Sequence, residues 1–179
     1  FEQCVSEMAL AGFSGCEVGN KYPKDREALK KALDLRGLTI CNRWFSSFLI
    51  TKPFEETANA FAEELDFLKY LGAKVIGVSE QSHSIQGLDQ PILEGKYVMN
   101  DQEWATLCDG LNRLVKIAKE KGMSLTFHHH MGTVVQNEDE IDRMMEHTDP
   151  ALFSLLYDTG PLAYCGADPL KAVKKYAKR

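Results

Sequence analysis

Apolar residues recur at three- and four-residue steps over residues 54–71 (Ala58, Phe61, Leu65, Leu68, Leu71) and again over residues 101–121 (Trp104, Leu107, Cys108, Leu111, Leu114, Val115, Ala118). That period is the signature of an amphipathic helix. Gly72 and Gly122 stand where such helices stop. Charged helical patterns also cover Glu2–Ala11 and Asp25–Leu35. Asn137-Glu-Asp-Glu140 reads as a capping box that opens a helix running to Met145. Asp168-Pro169 reads as an N-cap with proline at the first helical position. Between these helices lie short apolar runs of strand character: Gly15–Val18, Leu38–Cys41 leading into Asn42-Arg43-Trp44-Phe45, Lys74–Ser79, Leu125–His128 and Phe153–Tyr157. The segment from Glu80 to Asn100 is rich in Gly, Pro, Ser and Gln, and reads as a long loop.

Strands alternating with helices over short connections predict a parallel sheet covered by helices. An open doubly wound sheet and a (β/α)8 barrel both fit. No glycine-rich phosphate fingerprint follows any strand. Polar or charged residues do close every strand: Glu17, Asn42 and Arg43, Glu80, His128 and His130, Asp158. Barrel enzymes place their chemistry at those ends, so the barrel is the expected fold. A complete barrel needs eight strands, and five are visible. The chain also opens at Phe1 and stops at Lys178-Arg179 inside helical patterns. The expectation is therefore one barrel domain over residues 1–179, present in part, with the first strand and the last two strands absent.

Composition narrows the partners. A formal net charge of −5 argues against a nucleic-acid backbone as the main partner. No apolar run approaches the length of a membrane span, and no secretory signal is evident. Five cysteines at scattered positions form neither a disulfide framework nor a CxxC metal site, and reduced thiols point to the cytoplasm.

The chemistry gathers at His128-His129-His130. Side chains alternate along a strand, so Thr126, His128 and His130 share one face, while Leu125, Phe127 and His129 share the other. With Glu17, Glu80 and Asp158 at neighbouring strand ends, the imidazoles make a constellation suited to Mn, Co, Fe or Zn. Trp44 could wall a ring substrate.

Several segments carry a family resemblance: Ala11-Gly-Phe-Ser-Gly-Cys-Glu-Val-Gly19, Trp44-Phe-Ser-Ser47, Val78-Ser-Glu-Gln81, Ser84-Ile-Gln86, His128-His-His-Met-Gly-Thr133 and Leu156-Tyr-Asp-Thr-Gly160. Together they resemble the inosose dehydratase family of the xylose-isomerase-like barrel superfamily. The resemblance implies a (β/α)8 barrel with a divalent metal, manganese or cobalt, and an association with glutathione. It implies loss of water from 2-keto-myo-inositol (scyllo-inosose), a cyclitol ketone, to a trihydroxycyclohexane-dione. It places the metal on His128 and Asp158, with a further histidine and glutamate expected beyond Arg179. One departure stands out: the family usually reads Asp-Thr-Gly-His, and Pro161 replaces that histidine.

For the chemistry itself, Glu80 and His130 are the expected catalytic pair that divides proton removal and proton return. Glu17, Arg43, Trp44 and Gln86 are the expected substrate contacts. A sugar isomerase or epimerase on the same barrel, a metal-dependent endonuclease, and an inert fragment are the alternatives.

Overall fold

The computed structural model describes residues 1–179. Eight helices and six strands follow one another in the predicted alternation. They are α1 (Glu2–Leu10), β1 (Gly15–Glu17), α2 (Arg26–Asp34), β2 (Thr39–Asn42), β3 (Trp44–Ser47), α3 (Phe54–Tyr70), β4 (Val75–Glu80), α4 (Ile92–Gly95), α5 (Asp101–Glu120), β5 (Ser124–Phe127), α6 (Glu138–Glu146), β6 (Phe153–Leu155), α7 (Thr159–Tyr164) and α8 (Pro169–Tyr176). Every strand pair is parallel. The order is β1-β2 in one piece and β3-β4-β5-β6 in the other.

The strand expected over Leu38–Cys41 and beyond is divided at Arg43. Its first half, β2, pairs with β1, and its second half, β3, pairs with β4. A single tilted staff that serves one neighbour with its lower half and the other with its upper half is how a sheet curls toward a barrel. Two helices went unpredicted. The short α4 lies in the long loop, where Gly and Pro hide a single turn. In α7, Asp158 is the N-cap and Pro161 lies in the first turn, where its missing N–H costs nothing.

Register and burial define the two faces of the sheet. Val78, Phe127 and Leu155 stand side by side across β4, β5 and β6, all buried beneath the helical layer. Gly77, Thr126 and Ser154 alternate with them on the inner face. The outer face carries most of the apolar area: Ile76, Leu125 and Phe153 are fully buried with Phe61, Leu65 and Leu68 of α3 and Leu107, Leu111 and Leu114 of α5. Burial of each such side chain contributes about 1.5–3 kcal/mol. Capping boxes at Asn100–Glu103 and Asn137–Glu140 fix where α5 and α6 begin.

Candidate active site at the carboxyl ends of the strands

Past Phe127 the chain stays extended for the histidine run, because the His128 N–H donates to the Val78 carbonyl at 2.7 Å. Alternation then sends the rings to opposite sides. His129 points to the helical layer and is fully buried, with neither ring nitrogen hydrogen-bonded. Burial, reinforced by the neighbouring His128, pushes its pKa down to about 4, so the ring is neutral. His128 and His130 take the inner side, as the alternation predicts.

On that inner side His128 Nε2 lies 3.1 Å from Asp158 Oδ2. Burial lowers the His128 pKa against the opposing pull of Asp158. The contact is therefore a hydrogen bond between a neutral imidazole and a carboxylate. The other Asp158 oxygen accepts from the Gly160 N–H at 2.9 Å, capping α7. One residue thus serves both as a helix cap and as half of the His–Asp pair. Trp44, at the start of β3, presents its indole beside the two inner imidazoles, whose own centroids are 5.6 Å apart. Its ring centroid is 5.1 Å from that of His128 and 5.5 Å from that of His130, both edge-on. Its Nε1–H donates to Ser46 Oγ, which fixes the indole plane.

His130 heads a tight turn. Its Nδ1 lies 3.0 Å from the Met131 carbonyl. A carbonyl can only accept, so Nδ1 carries the proton and Nε2 is left as the reactive nitrogen. The turn itself is braced. Thr133 Oγ1 donates to the carbonyls of His130 and Val135, and the Gly132 N–H donates to Gln136 Oε1. Gly132 has φ +77°, and a Cβ there would stand 3.2 Å from the Gln86 backbone nitrogen. The Ile85 N–H donates to the Gly132 carbonyl at 2.9 Å. The long loop therefore lies directly on the histidine turn. A Lys96–Glu140 ion pair, with side-chain exposures of 6% and 16%, ties the same loop to α6. Gly132→Ala meets both a left-handed backbone and a backbone neighbour. We expect it to destabilise the protein by about 2 kcal/mol, read as a lower urea midpoint at unchanged m-value.

The remaining predicted residues divide. Glu17 lies close enough to His128 to perturb it electrostatically, and its Oε1 accepts from Asn42 Nδ2 at 2.5 Å. Gln86 is exposed on the loop beside Gly132. Arg43 does not join the cluster. It has the opposite parity to Asn42 and Trp44, and its guanidinium meets Glu64 of α3 at 2.8 Å, over the Phe67 ring. Glu80 does not join it either. It shares the parity of Ile76 and Val78, so it faces the helical layer and is fully buried. Ser47 Oγ donates to its Oε2 at 2.6 Å, the Leu49 N–H to the same oxygen at 3.1 Å, and the Ser82 N–H to Oε1 at 3.2 Å. The expectation of a catalytic Glu80 and a substrate-binding Arg43 rested on their place at strand ends. Parity along the strand, also readable in the sequence, sends both outward. Asn42, a strand-end residue with no role expected of it, is the one of the Asn42-Arg43 pair that lies on the inner face. Its signal was its position on the staff, two residues before Trp44.

The xylose isomerase-like TIM barrel profile matches residues 5–179. The chain belongs to the xylose isomerase-like TIM barrel family. Within that family it is 62% identical over 180 aligned positions to an inosose dehydratase of Clostridium perfringens, and 60% identical to one of Geobacillus thermodenitrificans. Both alignments take in 100% of this chain, and the chain spans 61% and 60% of those relatives' length. Among solved structures, the probable 3-DHS dehydratase AsbF of Bacillus anthracis superposes with a TM-score of 0.79 at 15% identity, over 99% of this chain and 64% of that one. The IOLI protein, crystallised with a bound zinc atom, superposes with a TM-score of 0.71 at 12% identity, over 97% of this chain and 62% of that one. These likenesses establish the barrel fold. No helix of this barrel chain is long and apolar enough to cross a membrane.

Proposed function

We propose that this barrel chain carries the reaction rim of a lyase. The lyase eliminates water from 2-keto-myo-inositol (scyllo-inosose), giving a trihydroxycyclohexane-1,2-dione in inositol catabolism. The observation that carries the reading is the inner-face cluster of His128, Asp158, His130 and Trp44. It sits on the same motifs that resemble the inosose dehydratases, and a relative of that name is 62% identical over the whole chain. We take residues 1–179 as part of one barrel domain acting on a small cyclitol ketone. Five free thiols favour the reducing cytoplasm as its place of work.

The His128–Asp158 pair fits a divalent ion by the chemistry of its donors. One imidazole nitrogen, kept neutral by burial, faces one carboxylate oxygen. Manganese or cobalt accepts both donor types, and the IOLI protein, a barrel of similar shape, was crystallised with a zinc atom. Bound there, the ion would polarise the ketone as a Lewis acid. The chain's own residues supply the rest. Trp44 offers its indole beside the two imidazoles as a wall for the ring. His130 moves a proton at Nε2, because Nδ1 is held by the Met131 carbonyl. Gln86, on the loop lying over Gly132, contacts substrate hydroxyls. Glu80 clamps the β3–α3 connection by accepting from Ser47 and Leu49.

Incubation of the full-length protein with 2-keto-myo-inositol and Mn²⁺ tests the proposal. An enolised diketone gives new ultraviolet absorbance with loss of one water by mass. An isomeric inosose of unchanged mass would instead establish an isomerase or epimerase on this barrel.

A further inference from the structure

With Glu80 turned outward, the inner face retains a carboxylate that has no part in the His–Asp pair: Glu17 at the end of β1. Three observations show that its position is built. The β1–β2 ladder slips between Cys16 and Glu17, so Glu17 faces Asn42 and not Cys41. Such irregularities re-aim a side chain and are common beside active sites. Asn42 is only 9% exposed, and its Nδ2 donates to Glu17 Oε1. The orientation of the amide follows from chemistry, since the reverse would set an oxygen against a carboxylate. Finally, the Asn42 carboxamide lies across Gly77 of β4. A Cβ on Gly77 would stand 3.0 Å from Asn42 Nδ2 and 3.2 Å from Leu156 Cδ1. The bare backbone of Gly77 is the floor on which Asn42 rests. Arg43, the next residue, points the opposite way to Glu64, so the staff cannot twist Asn42 outward without breaking that ion pair.

We infer that Glu17 is the base that removes the proton α to the ketone, and that Asn42, seated on Gly77, is its positioning residue. The assignment rests on the dehydratase reading above. Asn42 occupies Oε1, which leaves Oε2 of the exposed carboxylate to face the substrate. In the step, Oε2 takes the α-proton and the C–H electron pair becomes the enolate. The enolate then expels the β-hydroxyl, which takes the Nε2 proton of His130 in its imidazolium form and leaves as water, while Nδ1 keeps its proton on the Met131 carbonyl. One proton is gained at Glu17 and one lost at His130, so atoms and charge balance. Glu17 stands on β1 and His130 beyond the end of β5, so the two groups approach the ring from different strands of the barrel.

Solvent exchange separates the two half-steps. The full-length protein is held with 2-keto-myo-inositol in D₂O, and deuterium at the α-carbon of recovered ketone is followed by NMR beside turnover. We expect His130→Ala to keep the exchange while losing dehydration. We expect Glu17→Gln to lose both. Asn42→Leu and Gly77→Ala should each slow exchange and kcat about tenfold, with KM within about threefold. In the Glu17→Gln background, adding Asn42→Leu should change neither further. Exchange at the parent rate in Glu17→Gln would overturn the inference. So would Asn42→Leu and Gly77→Ala variants that lose only thermal stability. A parent that exchanges but does not dehydrate would sink the dehydratase reading and leave Glu17 as the base. A parent that does neither would overturn both.

Discussion

Replacement of His130 by alanine in the full-length protein is expected to lower kcat for inosose dehydration by at least about 100-fold, the ordinary scale of a lost acid–base group. The expectation follows from how the ring is held. Its Nδ1 is committed to the Met131 carbonyl, and its flank is set edge-on against Trp44. Apart from that one bond to Met131, the surrounding turn is secured by Thr133 and Gln136, whose hydrogen bonds do not involve the imidazole. The variant should therefore fold normally, with a melting temperature near that of the parent. Steady-state kinetics and a thermal scan on the same preparation check both halves. Near-parental turnover would remove His130 from the proton transfers.

Replacement of Glu80 by leucine is expected to have the largest effect on stability, a loss on the order of 4 kcal/mol in denaturant titration. The carboxylate is fully buried and accepts from one hydroxyl and two backbone N–H groups. Leucine fills the space, leaves the Leu49 and Ser82 N–H groups without a partner, and leaves Ser47 Oγ only its longer bond to the Ser79 carbonyl. Glu80→Gln is milder. Its amide NH₂ turns a donor toward a site lined by donors, and a loss of about 2 kcal/mol is expected. Its kcat should stay within a few-fold of the parent at temperatures where it is folded. A stable Glu80→Gln protein with kcat down 100-fold would return this residue to the chemistry.

These two residues show how far the sequence could be read. The helices with clear apolar stripes and capping signals, α5 above all, follow from local pattern. So does the division of the histidine run, because strand alternation is a local property. Applied to β4, the same alternation groups Glu80 with Ile76 and Val78, and applied across β2 and β3 it separates Arg43 from Asn42 and Trp44. Position at a strand end proved a weaker guide than parity. Other features are non-local. The ladder slip at Glu17 depends on how β1 meets β2. The need for glycine at 77 depends on Asn42 reaching across from another strand, and the need for glycine at 132 depends on a loop some forty-five residues earlier in the chain. The double use of Asp158, as α7 cap and as partner of His128, follows from adjacency of β5 and β6 that no spacing in the sequence displays.

We propose above that the His128–Asp158 pair forms part of a metal-dependent rim for dehydration of inosose. The most direct test is turnover of the full-length protein after removal of divalent ions by a chelator and readdition of Mn²⁺ or Co²⁺, set beside Asp158→Ala treated in the same way. The stripped parent should lose dehydration and regain it with the ion, and Asp158→Ala should stay inactive at the same metal concentration. Full turnover in the stripped parent, or in Asp158→Ala, would contradict the proposal.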